Sequence, residues 1–261
     1  MPSTAIRFNH DGWSCGLRIG VVVPHADVGP EAEMQAMAAG AATIHGARLR
    51  FSAMRTGGEM DPKIPHAPVE SFTQPPRLDA LVEDLGQSPL DAIALAFTSS
   101  AYKHGPAGER ALLRRLQPRV PGIPLVSTCS AVQQAAKALR AKRLAIVNPP
   151  WFDARLDGLS RCYFEAAGLT VVHHSPAGIT SGQKHITQEN MYAWVCGVIE
   201  RSSPDIVFVA GNGQRAVGII QAVESCTHST LITANQVLLW ASAKAAGKKL
   251  DAPHYGRLFG H

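Results

Sequence analysis

The 261-residue chain lacks the sequence features of several large functional classes. No apolar run approaches the roughly 20 residues that a membrane-spanning helix requires, so we predict no membrane partner. The polar N-terminal sequence MPSTAIRFNHDGWSCG has no apolar core of a secretory signal, which favours a cytoplasmic location. GxGxxG, P-loop and HExxH motifs do not occur, so we expect no bound nucleotide, no metal and no other cofactor.

The charged residues show no concentrated patch of one sign. Lys and Arg together number 25 against 20 Asp and Glu, a net charge of +5, and the densest basic clusters are Arg114-Arg115 and Lys248-Lys249. Nucleic-acid binding would require a longer basic stripe with interleaved aromatic residues, so we predict no nucleic-acid partner. A basic surface attracts small anions, and a small carboxylate substrate is sufficient reason for it. A homo-oligomer is left open.

Cysteine is present in an odd number without any paired spacing. The five residues are Cys15, Cys129, Cys162, Cys196 and Cys226. No CxxC and no Cys/His pair at metal-ligand spacing occurs, so we predict reduced thiols.

Short apolar runs alternate with helical patterns along most of the chain, which is typical of βα units and a parallel sheet. The predicted strands are Leu17–Val23, Arg48–Ala53, Ala92–Ala96, Pro124–Ser127, Leu144–Val147, Leu169–His173, Ile206–Ala210 and Thr230–Thr233. Predicted helices include one on Leu78, Leu81, Val82 and Leu85, one on Leu156, Leu159, Tyr163 and Phe164, and the segments Ala131–Ala141, Met191–Glu200, Ala216–Glu224 and Gln236–Ala246.

Polar or glycine-rich residues follow predicted strands in both halves of the chain. Strands end in PHAD and AFTSS in the first half, and in NPPWF and AGNGQ in the second. Because open α/β sheets bind ligands at the carboxyl ends of their strands, we predict an α/β protein of two similar half-domains. Each is a parallel sheet flanked by helices, and the active site lies in the cleft between them.

The predicted first half-domain comprises residues 17–129 and 230–261, and the second comprises residues 130–229. Residues 1–16 form an N-terminal extension. The segment Arg55–Pro76, rich in Pro and Gly, is predicted to be a long surface loop that covers the cleft as a lid.

Two hydroxyl residues follow the strand IALAF. Thr98 and Ser99 stand at a strand-to-helix turn, where hydroxyls and backbone N–H groups hold a carboxylate or an enediolate. An ordinary N-cap explains the same residues. In the corresponding loop of the second half, Gly211, Asn212 and Gly213 would form an anion site or a plain tight turn.

The candidate acid and base groups are His25 with Asp27 and, at another strand end, Cys129. A His beside a carboxylate can transfer protons, although a loop His and a capping Asp explain the pair equally. Cys129 stands next to a predicted helix N-terminus, which lowers a thiol pKa, although buried Cys is more often a packing residue. Trp151 and Phe152, which follow NPP, would line the substrate pocket or begin the next helix as core anchors.

Several segments resemble the maleate isomerases and arylmalonate decarboxylases of the aspartate/glutamate racemase superfamily. Pro24 with Asp27 and Glu31 resembles the first loop of maleate isomerases, in which an Asn commonly stands at the position of Asp27. AFTSSAYKHG (96–105) is similar to an active-site loop of both groups. TANQVLLWASAKAAG (233–247) resembles a maleate isomerase segment, and HYGRLF (254–259) a C-terminal segment of arylmalonate decarboxylase.

This resemblance implies the predicted fold, a cofactor-independent reaction and a substrate site at Pro24, Phe97, Thr98, Ser99, Trp151 and the 211–213 loop. It also places Phe97, and Ala210 or Gly211, where the superfamily carries its two catalytic cysteines. A Tyr that the superfamily usually carries after its fourth strand aligns near Pro150 or Trp151. We therefore expect decarboxylation through an enediolate, because that step depends least on a cysteine pair. Cis–trans isomerisation and a non-catalytic carboxylate-binding relative are the alternatives.

Overall fold

The computed structural model describes residues 9, 11–59 and 61–261. It contains two four-stranded parallel sheets with the same strand order, β2-β1-β3-β4 in the first and β6-β5-β7-β8 in the second. Helices flank both sheets. The predicted fold of two similar α/β halves is confirmed.

The strands of the first sheet are β1 (Leu17–Pro24), β2 (Ala42–Leu49), β3 (Ala92–Leu95) and β4 (Leu125–Ser127). Those of the second are β5 (Arg143–Asn148), β6 (Thr170–Pro176), β7 (Ile206–Val209) and β8 (Thr230–Thr233). The helices are α1 (Gly29–Ala38), α2 (His66–Ser71), α3 (Arg77–Leu85), α4 (Ser99–Leu116), α5 (Thr128–Ala138), α6 (Ala154–Ala166), α7 (Gln188–Ser202), α8 (Ile220–Cys226) and α9 (Ala234–Ala245).

Three strands are completely buried, the inner strands β3 and β7 and the edge strand β8. Helices cover both faces of a parallel sheet, so their side chains are shielded from solvent. The sequences AIAL and IVFV accordingly are continuous apolar runs, and this is why they were predictable as strands.

The edge strand β2 was predicted in the wrong place. The prediction was Arg48–Ala53, whereas the strand is Ala42–Leu49 and pairs with β1 from Leu17 opposite Ala42 to Pro24 opposite Leu49. Only the two ends of β2 are buried. Its sequence ATIHGARL therefore shows no alternation, and the pairing with β1 decides its position.

The segment Arg55–Pro76 is not wholly a surface loop. It contains a short 3-10 turn and helix α2, and it buries Ile64, Val69 and Phe72. Met60 lies outside the described residues. The apolar side chains are single and irregularly spaced, so they gave no periodic signal in the sequence.

The predicted half-domain boundary at residue 230 does not follow the sheets. Strand β8 pairs with β7 in the second sheet, but the next helix, α9, packs against α1, α5, β3 and β4. The chain thus crosses between the halves after β8, a crossing that local sequence does not reveal. Most of the predicted extension 1–16 lies outside the described residues. Within the described part of the chain, no helix is long and apolar enough to span a membrane.

Candidate active site

A small cavity lies at the carboxyl ends of strands from both sheets. Its volume is about 60 Å³. The lining residues come from the ends of β1, β3, β5 and β7, from the segment after β2, and from the segment before α7. They are Pro24, Asp27, Phe51, Met54, Ile64, Ala96, Phe97, Thr98, Ser99, Trp151, Phe152, Gln183, Asn212 and Gly213.

The cavity brings together most of the residues singled out in the sequence. Pro24, Asp27, Phe97, Thr98, Ser99, Trp151, Asn212 and Gly213 line it. His25, Gly211 and Cys129 do not. The predicted cleft between the halves is therefore the place where these strand-end loops meet.

Thr98 and Ser99 lie where the chain turns from β3 into α4. Thr98 is at the N-cap position of α4 and is buried, but its side chain makes no capping hydrogen bond. The ordinary capping interpretation is therefore wrong for Thr98. Its hydroxyl and the N-terminus of α4 remain available to an anion in the cavity.

Asp27 is a nearly fully buried carboxyl group in the loop after β1. It is 3% exposed and accepts a hydrogen bond of 3.0 Å from the backbone N–H of Gly29 at Oδ1. Burial raises the pKa of Asp27 to about 7, and Glu33 adds to this, while the Gly29 N–H and Arg48 oppose it. Asp27 can therefore gain or lose a proton near neutral pH.

The loop after β7 approaches Asp27 closely. A Cβ atom on Gly213 would lie 2.9 Å from Asp27 Oδ2 and 2.9 Å from Gln183 Nε2. Gly211 has φ of +79°, and a Cβ there would lie 2.2 Å from Pro149 Cγ. Both glycines are thus required by close packing, which places the backbone next to the carboxyl group.

The segment after β2 covers the cavity and is attached to the second half. Lys63 Nζ donates to the carbonyls of Pro150 at 2.8 Å and Phe152 at 2.7 Å. The Ile64 N–H donates to the carbonyl of Trp151 at 2.9 Å. These bonds hold Ile64, with Phe51 and Met54 nearby in the chain, as an apolar cover.

Trp151 and Phe152 both line the cavity and pack in the core, the two functions that the sequence allowed. They are buried and line the cavity, while helix α6 begins after them at Ala154. Asp153 caps α6 by accepting from the Leu156 N–H at 2.7 Å. The two aromatic rings therefore give the cavity an apolar wall rather than belonging to the helix.

His25 does not have the predicted role beside Asp27. Its imidazole Nδ1 accepts a hydrogen bond of 3.1 Å from the backbone N–H of Phe51, and the backbone N–H of His25 donates to the Leu49 carbonyl at 2.8 Å. These contacts attach the end of β1 to the chain after β2. The structure gives His25 a place in the fold and not in the cavity.

Cys129 also departs from its predicted environment. It is fully buried in α5, and burial raises the pKa of its thiol well above the ordinary value, with Glu109 adding to the effect. The position of Cys129 next to a helix N-terminus had predicted a lowered thiol pKa. Loss of hydration outweighs the helix dipole here, because the thiolate has no water around it.

Some lining residues were missed in the sequence. Gln183 comes from a 3-10 turn before α7, and Phe51, Met54 and Ile64 come from the segment after β2. Phe51 fell inside the strand wrongly predicted at Arg48–Ala53, and Ile64 and Gln183 do not come directly after a strand, so the strand-end rule did not identify them. Among the described residues, no three His, Cys, Asp or Glu side chains are grouped to hold a metal ion.

Comparison with known proteins agrees with this geometry. The sequence profile of the arylmalonate decarboxylase family (Amdase) matches residues 19–259. The chain belongs to the arylmalonate decarboxylase family. A comparison with curated protein sequences finds no match.

Solved structures of this fold are similar over nearly their whole length. A crystal structure of arylmalonate decarboxylase is 18% identical with a TM-score of 0.76, covering 93% of this chain and 99% of the other. Maleate isomerase Iso from Pseudomonas putida S16 is 19% identical with a TM-score of 0.79, covering 93% and 98%. A Nocardia farcinica maleate cis-trans isomerase mutant with a covalently bound succinylcysteine intermediate is 18% identical with a TM-score of 0.80, covering 93% and 98%.

Proposed function

We propose that the protein is a cofactor-independent enzyme that acts at the carbon next to a carboxylate of a small mono- or dicarboxylic acid, and that it decarboxylates a malonate through an enediolate. The observation that carries this proposal is the environment of Asp27. A carboxyl group with a pKa of about 7 lies in a cavity whose other polar lining groups are neutral. Such a group can deliver a proton to carbon.

Thr98 and Ser99 are the proposed binding groups for the carboxylate that stays on the substrate. Their hydroxyls lie at the N-terminus of α4, so they and the backbone N–H groups there face an anion with the favourable end of the helix dipole. In the enediolate, negative charge concentrates on these same oxygens. Donors that gain strength as charge develops stabilise the transition state more than the substrate.

The departing carboxylate is placed against the apolar wall. Phe97, Trp151 and Phe152 line the cavity and are buried. A carboxylate there loses hydration, while the neutral carbon dioxide that it becomes does not need any. The bond between the α-carbon and this carboxylate breaks, carbon dioxide leaves, and the electron pair remains in the enediolate.

Asp27 completes the reaction in this proposal. Its carboxyl O–H donates the proton to the α-carbon, which forms the C–H bond and regenerates the carboxylate of the product. Asp27 is left ionised and regains its proton from water. His25 and Cys129, the other candidate donors, lie outside the cavity lining.

Cis–trans isomerisation by a thiol is less well supported. The Nocardia farcinica relative carries a succinylcysteine, in which sulfur is bonded to the substrate skeleton. No cysteine is among the described residues that line the cavity of this chain. The positions that the resemblance assigns to cysteine are Phe97 and Ala210 or Gly211, and none of these side chains can add to a double bond.

The size of the cavity bears on the substrate. About 60 Å³ is well below the roughly 300–1,000 Å³ of pockets that hold drug-sized ligands. A disubstituted malonate is larger than this cavity, so the proposal includes an outward movement of the cover formed by Phe51, Met54 and Ile64. This movement must break the hydrogen bonds that Lys63 Nζ and the Ile64 N–H donate to backbone carbonyls of residues 150–152.

The test is a panel of substrates followed by NMR in D2O. Malonate, methylmalonate, 2-methyl-2-phenylmalonate and maleate are incubated separately with the enzyme, and calorimetry measures the binding of each. We expect carbon dioxide release from at least one malonate and one deuterium at the α-carbon of the product. A chiral product is expected with one enantiomer in excess, because Asp27 lies on one side.

Other outcomes distinguish the alternatives. Conversion of maleate to fumarate with all malonates unchanged would replace the proposal by isomerisation. Binding of a malonate without turnover of any compound would favour a non-catalytic relative. A racemic deuterated product would exclude proton delivery from a single side chain.

A further inference from the structure

Glu33 is a buried carboxylate behind the cavity that the proposed reaction does not use directly. It lies on α1 and is 8% exposed. Oε1 accepts from the backbone N–H groups of Ala216 at 2.7 Å and Val217 at 3.0 Å, and Oε2 accepts from Asn235 Nδ2 at 2.7 Å. All its partners are N–H donors, two from the segment after β7 and one from helix α9.

Asn235 connects Glu33 to Asn212, which lines the cavity. Asn235 Nδ2 also donates to the backbone carbonyl of Asn212 at 2.9 Å, and Asn235 Oδ1 accepts from Asn212 Nδ2 at 2.9 Å. At the other end, Asn212 Oδ1 lies 3.2 Å from the hydroxyl of Thr128, whose single proton it shares with the Leu95 carbonyl at 3.0 Å. Every member of this chain is buried.

The direction of these hydrogen bonds is determined at Glu33. An ionised carboxylate only accepts, so Asn235 must present its NH2 group to it. The oxygen of Asn235 then faces Asn212, which must in turn present its own NH2 group. The oxygen of Asn212 is therefore directed to Thr128, and each amide of the chain has one orientation instead of two.

Glu33 also acts on Asp27 through space. Its charge contributes to the raised pKa of Asp27, after burial and in the same direction as the more exposed Glu31. Arg48 lowers the pKa of Asp27. Burial raises the pKa of Glu33 itself, while the hydrogen bonds from Asn235, Ala216 and Val217 and the charge of Arg215 favour its ionised form. Glu33 thus affects Asp27 by its charge and is connected to Asn212 through Asn235.

We propose that Glu33 is a positioning residue, whose carboxylate sets the amide orientation of Asn212 through Asn235 and holds the loop after β7 through the Ala216 and Val217 N–H groups. Local sequence contains no sign of this role, because a Glu on a helix such as α1 is ordinarily a solvent-exposed residue. This inference rests on the proposed function only in taking the cavity that Asn212 lines as the substrate site.

The test replaces the charge and keeps the shape. In Glu33→Gln the new amide must present an NH2 group either to the backbone donors or to Asn235, so one hydrogen bond of the chain is lost or reversed. We expect hydrogen exchange of the Asn212 side-chain amide, followed by 15N NMR, to accelerate about tenfold or more, the factor of one lost hydrogen bond. The pKa of Asp27, followed by 13C NMR, should fall below about 7.

Two further variants separate the two effects. Glu31→Gln is the matched control, since it removes one negative charge from the same helix without touching the hydrogen-bond chain. It should leave Asn212 exchange unchanged. Asn235→Ala retains the charge of Glu33 but interrupts the chain, so it should accelerate Asn212 exchange and leave the Asp27 pKa near 7. This variant also serves if Glu33→Gln does not fold.

Unchanged Asn212 exchange in folded Glu33→Gln or Asn235→Ala overturns the proposal. Neither NMR measurement requires turnover, so failure of the proposed reaction would leave them interpretable. Where turnover is measurable, we expect Glu33→Gln to lower kcat more than it raises KM and to shift the pH profile to lower pH. A purely structural role would lower Tm and leave the pH profile in place.

Discussion

The two halves have the same strand order, but the loops at their strand ends carry different chemistry. In the first half, the loops after β1 and β3 contribute Asp27 and the hydroxyls of Thr98 and Ser99. In the second half, the loops after β5 and β7 contribute the apolar Trp151 and the neutral Asn212 with its flanking backbone.

This asymmetry bears on how protons can move. Asp27 is the only titratable side chain among the described residues that line the cavity. Proton removal on one face and return on the other needs a suitable group on each side of the substrate. A cavity with one such group is suited to protonation of an enediolate from a single face, and the following predictions test that difference between the halves.

The largest effect is expected from Asp27→Asn, which keeps the shape and removes the transferable proton. Turnover should fall about 10³-fold, within the range typical of a general acid. In the wild type, turnover should decline as the pH rises through about 7, since Asp27 loses its proton there. The measurement is the rate of malonate decarboxylation against pH. The control is Asp251→Asn on the surface, and near-normal turnover of Asp27→Asn would contradict the role of this carboxyl group.

The same substitution should have an opposite effect on stability. Folding raises the pKa of Asp27 from 3.8 to about 7. The contribution of Asp27 to the free energy of unfolding is therefore fully present below pH 3.8 and is lost as the pH rises to about 7. Above pH 7 Asp27→Asn should therefore stabilise the fold by up to about 4 kcal/mol, at about 1.4 kcal/mol per tenfold change in proton affinity. Urea unfolding at pH 5 and pH 8 measures this. An equal effect at both pH values would contradict it.

Thr98→Ala or Ser99→Ala should reduce turnover about 10²-fold or more, as expected for the loss of a donor to a developing oxyanion. KM should change less than kcat, since the interaction strengthens in the transition state. Steady-state kinetics of the single and double variants provide the measurement, with exposed Ser88→Ala as the control. Near-normal turnover of the double variant would remove both residues from the mechanism.

The smallest effect is expected from Cys129→Ala. Turnover should stay within about twofold of the wild type, because Cys129 is buried outside the cavity lining and keeps its proton. Activity should also survive alkylation of the exposed Cys162 and Cys226.

The same preparation tests the one-sided character of the site. We expect no racemisation of aspartate or glutamate and no deuterium incorporation at their α-carbons in D2O. Two-faced exchange in the wild type, lost in Cys129→Ala, would show that a thiol reaches the substrate and that the asymmetry between the halves is wrong.

The sequence by itself determined the fold class and most of the cavity lining. Buried parallel strands are continuous apolar runs, and ligands in α/β folds bind at strand ends, so Asp27, Thr98 and Asn212 could be located from local patterns. The resemblance supplied the family, which the profile match over residues 19–259 confirms, and suggested the reaction that we propose.

Only the tertiary structure decided which of these candidates line the cavity. His25 and Cys129 have suitable side chains, but contacts with Phe51 and burial in α5 take them out of the cavity. Glu33 is joined to Asn212 across 179 positions of the chain, a relation that no local pattern contains. A pKa near 7 for Asp27 depends on removing water from it, and that follows from packing of distant segments rather than from the residue's own sequence.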